Sequence, residues 1–295
     1  MKNQLKTVLL LGTLSALTIG VGALVAPGHL YLFGALALAM NLGAYFFSDR
    51  IVLRMHRAEE VSPAEAPELH QMVEELAAKA QIPKPRLFVI PEEQPNAFAT
   101  GRSPERGVVA VTEGILRILD RRELRGVIAH ELAHIKNRDI LVSSVAAAAA
   151  SLITYVAQAL TLNSLLGPSD DEEEASPGGG MLVALVAPIA ATLIQLGISR
   201  SREYLADDTG AEISGDPEAL ASALLKLERA PTTAEPSATP ATASLFIVNP
   251  FGATESLSRW FSTHPQTQER VARLLARAGR GPAPTPYGSR LAREW

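Results

Sequence analysis

The sequence predicts a mainly α-helical protein with a small β-sheet (α+β), anchored in a membrane by two helical hairpins. The first observation is a set of long apolar stretches without charge, grouped in two pairs. The second is a polar region between the pairs, in which apolar residues recur at helical spacing. The third is the presence in that region of two short apolar segments with β-branched residues, typical of strands.

The first predicted hairpin consists of the uncharged stretches 7–25 and 30–47, joined by Ala-Pro-Gly-His. A spanning helix needs about 20 apolar residues, so the lengths suit a bilayer. A cleaved signal peptide is the alternative for the first stretch, but its apolar region is usually shorter. Basic residues tend to remain cytoplasmic, which places both ends of the hairpin on that side. The flanking basic residues are Lys2, Lys6, Arg50, Arg54 and Arg57.

The second predicted hairpin consists of the stretches 140–166 and 181–199. Both contain polar or helix-breaking residues, namely Gln158, Asn163, Pro188 and Gln195, so a buried helical hairpin in a soluble core is an alternative. Basic residues at the outer ends favour spanning and place the acidic loop 170–174 opposite the cytoplasm.

We therefore divide the chain into a transmembrane hairpin (1–50), a polar part (51–139), a second hairpin (140–200) and a second polar part with a flexible tail (201–295). The first polar part is predicted to contain a helix that begins at Ser62-Pro63 and strands at 86–90 and 107–112. Asp120 and Glu123 have the spacing of a capping box. The second polar part is predicted to contain helices from Asp216 and over 265–278, a loop at 230–243 and a loose tail from 279.

The amino-acid composition limits the kinds of functional site that the chain can form. The chain has 295 residues, a formal net charge of -4 and no cysteine. The mild charge gives no indication of a nucleic-acid partner. Without cysteine there are no disulfides, no catalytic thiolate and no cysteine-ligated metal. A tight metal site would therefore use histidine and carboxylate ligands.

One segment has that ligand pattern. Residues 127–134 read VIAHELAH and contain the motif H-E-x-x-H. On a helix His130 and His134 lie on one face and can reach one zinc ion, while Glu131 is placed to take a proton from water at the metal. The alternative is a polar helix face with an unrelated glutamate. A capped amphipathic helix is what the motif requires, so we predict a zincin-like catalytic domain.

A hydrolytic zinc site needs a third protein ligand and an open position for water. His264 and several carboxylates compete for this role. The spacing of Glu203 and Asp207 lets Glu203 bind metal while Asp207 accepts the other ring N–H of a ligating histidine. The alternative is a solvated acidic face beside Arg200 and Arg202.

Several motifs together resemble the HtpX membrane protease family, which is related to the eukaryotic prenyl-protein proteases. They are HELAHIKNRD, SREYLAD, the loop PNAFATG at 95–101, LFIVNP at 245–250 and STHP at 262–265. The resemblance implies a zinc metalloendopeptidase with one Zn²⁺ at His130, His134 and Glu203, and Glu131 as general base. It also implies a stress-linked role in the quality control of membrane proteins.

Other assignments also depend on the resemblance. It implies that Asn96 borders the substrate cleft and that His264 donates a hydrogen bond to the developing oxyanion. The alternatives are a turn asparagine and an exposed histidine before proline. Asn137 and Asp139 are expected only to end the helix or pair with neighbouring basic residues.

The expected location is a bacterial inner membrane, crossed several times, with the site facing the cytoplasm. His134 precedes the stretch 140–166 by about 9 Å of helix, so the site should lie close to the bilayer. Substrates would be membrane or unfolded proteins, added as a further strand to the segment 107–112. Rival functions are a prenyl-protein protease and a non-catalytic membrane scaffold.

Overall fold

A computed structural model describes residues 2–25, 27–148, 200–230, 247 and 265–279. Its helices are α1 (Lys2–Val25), α2 (Leu30–Met55), α3 (Pro67–Ala80), α4 (Glu113–Ile118), α5 (Arg121–Lys136), α6 (140–148), α7 (Arg200–Ser214), α8 (Pro217–Arg229) and α9 (Thr267–Arg277). Its strands are β1 (Glu59–Glu60), β2 (Arg86–Ile90), β3 (Ala97–Thr100) and β4 (Val108–Thr112). The prediction of a mainly helical protein with a small sheet is confirmed. Nearly all of the second predicted hairpin, the loop 230–243 and the tail lie outside the described residues.

The first two helices form a pair joined by a 3₁₀ turn at Pro27–His29. Only α2, among the described helices, is long and apolar enough to cross a membrane, with a mean hydropathy of 1.6. The apolar stretch of α1 is shorter, Thr7–Gly20. The Asn41 amide joins the helices by donating to the Leu11 carbonyl at 3.2 Å and the Ser15 hydroxyl at 2.6 Å.

The sheet has the strand order β1-β2-β4-β3, with β2 and β4 parallel and the outer pairs antiparallel. The predicted strands 86–90 and 107–112 are therefore neighbours. Because β4 has a partner on each side, our prediction that substrate adds to this strand is wrong. Among the described strands, β3 forms the edge on that side of the sheet.

Both faces of the sheet are covered. Alternate residues such as Leu87 and Val109 join the core built around α3, α5, α7 and α8. The opposite face, which includes Phe88 and Phe98, packs on the last turns of α2 and on Ala147 of α6. The sheet thus separates the helices that carry the predicted site from the ends of the apolar helices. Because both faces of the sheet are covered, its strands can be apolar throughout.

Helix α5 lies at the centre of the polar part. Its predicted capping box is present: Asp120 accepts the Glu123 N–H at 2.9 Å, and the Glu123 carboxylate accepts the Asp120 N–H at 3.0 Å. Close packing depends on glycine, because a Cβ at Gly126 would lie 2.8 Å from the backbone nitrogen of Leu220 in α8. The helix that contains H-E-x-x-H is therefore held by its N-terminal capping box and by its close packing against α8.

Several elements, including the two-residue strand β1, differ from the sequence-based predictions. The helix expected from Ser62 begins at Pro67, because the Glu65 carboxylate bonds the Ser62 N–H and hydroxyl and closes a separate turn. The segment 97–100, expected to be a loop, is strand β3; its short Ala-Phe-Ala-Thr sequence has little strand propensity and depends on pairing with β4. The short helix α4 was not predicted.

Candidate metal centre

The predicted metal ligands come together at the contact of α5 with α7. His130 and His134 project from one face of α5, and Glu203 projects from the first turn of α7. The close approach of the two helices depends on Gly210, where a Cβ would lie 2.9 Å from the Cα of His130. Glu203 and Gly210 are seven residues apart and therefore share a face of α7.

The three side chains form a compact donor set. Each offers one ligand atom within 4.8 Å of the others. The Nε2 atoms of His130 and His134 are 3.2 Å apart, and each is 3.7 Å from an oxygen of Glu203. Two nitrogens bound to one tetrahedral zinc ion at about 2.05 Å would be roughly 3.3 Å apart. The spacing and the donor types therefore fit zinc.

Each histidine has a buried aspartate on the ring nitrogen that faces away from the other histidine. His130 Nδ1 lies 3.0 Å from Asp207 Oδ1, although the ring N–H is not aligned for a linear hydrogen bond. His134 Nδ1 lies 3.2 and 3.3 Å from the two oxygens of Asp139. The structure thus places Asp207 where the sequence predicts it, and it places Asp139 in a contact that the sequence analysis missed.

Arginines balance these aspartates. Arg270 of α9 donates to both carboxylate oxygens of Asp207, at 2.7 and 2.8 Å, and is 1% exposed. Burial alone would raise the pKa of Asp207, but Arg270 outweighs it and lowers the pKa to about 2. Burial lowers the pKa of Arg202. The negative charges of Asp139 and Glu203 favour its protonated form but only partly offset this effect.

The pocket favours positive charge between its carboxylates. Burial alone would lower the pKa of both rings. At His130, Asp207 and Glu203 outweigh burial and raise the pKa. At His134, Asp139 and Glu203 outweigh burial and raise the pKa to about 10. The same arrangement stabilises a cation, whether it is carried as protons on the rings or as a metal ion between them.

Glu131 lies beside this set and is 4% exposed. Burial is the main reason that its pKa is raised, which makes it a stronger base than an ordinary carboxylate. Its carboxylate accepts the backbone N–H of Ala99. The edge strand β3 is therefore in direct contact with the predicted general base.

Asn96 precedes β3 and is buried. Its side-chain oxygen accepts the backbone N–H of Ile247 at 3.1 Å, and Arg270 donates to the Ile247 carbonyl at 2.8 Å. Asn96 thus holds another part of the chain at the end of the edge strand. His264, the other residue assigned only by family resemblance, lies outside the described residues.

The sequence revealed neither the contact of Asp139 with His134 nor the burial of Arg270 beside Asp207. Asp139 lies five residues beyond His134, a spacing that no helix places on one face, so only the turn between the helices could reveal its contact. Arg270 is an arginine in an amphipathic helix, where a solvent-facing position is the ordinary expectation.

Comparison with known proteins identifies the family of this chain. The family model described as "Peptidase family M48" matches residues 63–278. A "Protease HtpX homolog" of Syntrophobacter fumaroxidans is 52% identical over 280 residues, covering 93% of this chain and 99% of that protein. A Pyrococcus furiosus protein of the same name is 52% identical over 277 residues, covering 91% of this chain and 94% of that protein. The crystal structure of Ste24p from S. mikatae has a similar fold, with a TM-score of 0.50 at 18% identity, covering 89% of this chain and 62% of that one.

The fold, the donor set and these matches define the class of protein: the chain is a metalloprotease. It belongs to peptidase family M48, and the relatives that are about 50% identical to it are HtpX protease homologues. The resemblance seen in the sequence motifs is confirmed.

Proposed function

We propose that this chain is a zinc-dependent endopeptidase of a bacterial inner membrane that cleaves misfolded or damaged membrane proteins at the cytoplasmic face, as part of a stress response. The observation that carries the proposal is the cluster of His130, His134 and Glu203 with Glu131 beside it. A zinc ion held by these ligands supplies Lewis acidity, which polarises a carbonyl and lowers the pKa of water.

The side chains around the donor set have the chemistry that peptide hydrolysis requires. Buried Glu131, with its raised pKa, takes the proton of the attacking water and delivers it to the leaving amine. Asp207 holds the ring of His130, and Arg270 keeps Asp207 ionised. We assign His264, by family resemblance, as a donor to the developing oxyanion.

The proposal is tested with detergent-purified protein prepared under chelation, since self-cleavage could otherwise remove it. After zinc is added, Glu131→Gln should cleave casein or itself about 10²–10⁴-fold more slowly than the parent, with equal zinc content. Glu203→Ala should lose zinc, whereas Glu212→Ala, an exposed glutamate on the same helix, should not. Equal activity of the Glu131→Gln protein and the parent would reject the enzyme and favour a scaffold.

His264 is tested separately. His264→Ala should lower kcat with unchanged zinc content, because an oxyanion donor acts on the transition state rather than on the metal. An unchanged kcat would remove this assignment without affecting the zinc site.

Substrate binding along the edge strand is supported by the strand register. Because the Thr112 N–H bonds the Asn96 carbonyl, the antiparallel pattern directs the N–H groups of Ala97 and Ala99 away from β4. Ala99 donates to Glu131. An extended peptide that pairs with Ala97 would therefore lie next to the general base, with Asn96 at the end of the cleft.

Proline removes a backbone N–H, so Ala97→Pro should raise KM for an unfolded protein substrate and leave zinc affinity unchanged. Glu60→Pro is the matched control, because the register also directs the Glu60 N–H away from the sheet, at the opposite edge. An equal effect of the two prolines on KM would reject binding at β3.

Membrane insertion is supported by α2 and by the packing of its last turns on the sheet. The chain has no cysteine, so single cysteines can report its orientation. Lys79→Cys, on the exposed face of α3, should react with membrane-impermeant maleimide only after the cells are lysed, whereas Gly28→Cys, between α1 and α2, should react in intact cells. The reverse pattern would place the site outside the cytoplasm.

A prenylated peptide distinguishes the alternative substrate class, which is favoured by the fold similarity to Ste24p. Cleavage of that peptide, and not of its unmodified form or of casein, would replace our substrate assignment and leave the zinc chemistry unchanged.

A further inference from the structure

The turn between α5 and α6 reverses the chain beside the metal ligands. Helix α5 ends at Lys136, and Arg138 adopts the left-handed conformation with φ of 57°. This conformation is uncommon for a residue with a side chain and costs free energy. The Asp139 N–H then bonds the His134 carbonyl at 3.2 Å. The strained turn therefore brings Asp139 back over the last turn of α5.

The side chain of Asp139 is directed at His134. Both carboxylate oxygens lie close to Nδ1 of the ring, at 3.2 and 3.3 Å, and the carboxylate is buried. The opposite ring nitrogen, Nε2, faces His130 and Glu203. A proton held on Nδ1 by Asp139 leaves the lone pair on Nε2 directed at the metal position.

We propose that Asp139 is a positioning residue, which fixes the tautomer and the ring orientation of His134 for metal binding. The proposal depends on the zinc site put forward above. Carboxylates that hold the outer nitrogen of a ligating histidine typically contribute about 10–100-fold to metal affinity or activity. Each histidine ligand would then have its own aspartate: Asp207 from α7 for His130, and Asp139 from the turn for His134.

A simpler role for Asp139 is to start the next helix. Its carbonyl accepts the Ser143 N–H at 3.3 Å, so it has the position of the N-cap of α6. Serine and asparagine fill that position about as well as aspartate. Serine, however, is too short to reach His134, and asparagine reaches it without the negative charge. Two substitutions therefore separate helix capping from histidine positioning.

The test uses full-length protein in detergent, with Glu131→Gln in every sample to prevent self-cleavage. Zinc affinity is measured by competition with a chromophoric chelator, and the metal geometry by the visible spectrum of the cobalt(II)-loaded protein. Asp139→Ser should bind zinc about 10–100-fold more weakly, with a shifted cobalt spectrum, while the metal-free protein still unfolds cooperatively. Asp139→Asn should lose less, because its carbonyl oxygen can still accept the ring N–H.

Asp208→Asn is the matched control, because Asp208 is an exposed α7 carboxylate paired with Arg277 and should leave zinc affinity unchanged. Parental zinc affinity in both Asp139 variants would overturn the proposal. If Asp139→Ser does not fold, the test depends on Asp139→Asn alone. A zinc affinity and a cobalt spectrum equal to those of the parent in that variant would reject the positioning role of Asp139. A parent that binds no zinc would instead reject the proposed function.

Discussion

Gly210 of α7 lies directly on the backbone of His130 in α5. A Cβ at this position would lie 2.9 Å from both the Cα and the nitrogen of His130, a distance that real side chains do not adopt. Helix α7, which supplies Glu203, therefore packs directly on helix α5, which supplies His130. The geometry of the donor set depends on this contact as much as on the ligands.

Gly210→Ala should force the two helices apart and weaken zinc binding. Overpacking of this kind costs about 1–3 kcal/mol, which exceeds the gain of about 0.5–1 kcal/mol from replacing a helical glycine. The measurements are zinc competition and metal-free thermal unfolding. Gly43→Ala in α2, where a Cβ meets nothing within 4 Å, is the control and should not lose stability. A Gly210→Ala protein as stable as that control would show that the helices can separate without cost.

Two arginines of α9 pair with carboxylates of α7 in different environments. Arg270 is 1% exposed and bonds Asp207, whereas Arg277 is partly exposed and bonds Asp208 and Glu212. Arg270→Met should destabilise the protein by about 3–5 kcal/mol, because it leaves the buried Asp207 carboxylate without the arginine that neutralises it. Arg277→Met should cost less than about 1 kcal/mol. Chemical unfolding under chelation compares them, and equal losses would contradict the distinction.

Thr100 at the end of β3 and Ser144 of α6 share a buried hydrogen bond of 2.8 Å between their hydroxyls. Ser144→Ala should cost about 1–3 kcal/mol, because the Thr100 hydroxyl loses its partner. Adding Thr100→Val removes that unsatisfied group, so the double variant should be less destabilised than the sum of the single variants. Ser143→Ala, at the preceding position of α6, is the control. Additive losses in thermal unfolding would show that the pair does not couple the strand to the helix.

Asp216 caps α8 by accepting the Ala219 N–H at 3.1 Å and also pairs with Arg122 of α5. The Arg122 guanidinium is the main reason that the pKa of Asp216 lies below its ordinary value of 3.8. A lowered pKa stabilises the fold above the unfolded-state pKa, and the contribution is lost as pH falls through the folded-state pKa. Asp216→Ala should therefore cost about 1 kcal/mol at pH 7.

That difference between Asp216→Ala and the parent should shrink as the pH falls below about 4, because protonation removes the charge from the parental carboxylate. Asp216→Asn retains the cap and should lose only a few tenths of a kcal/mol. Unfolding curves at a series of pH values provide the measurement. A difference that stays constant down to pH 2 would show that charge contributes nothing here.

The sequence by itself determined the local features of this protein. His130 and His134 follow from the helical repeat, which places residues four apart on one face whatever the surrounding fold. The α5 cap, the strand 86–90 and the helix from Pro217 also follow from short-range rules, and the structure has each of them.

The tertiary structure decided what depends on contacts between distant parts of the chain. The strand 97–100 exists because it pairs with β4, and α7 reaches His130 because Gly210 lacks a side chain. Arg270 is buried because Asp207 neutralises it, and Asp139 reaches His134 because Arg138 reverses the chain. Such contacts depend on chain reversal and on charges far apart in sequence, which local periodicity does not encode.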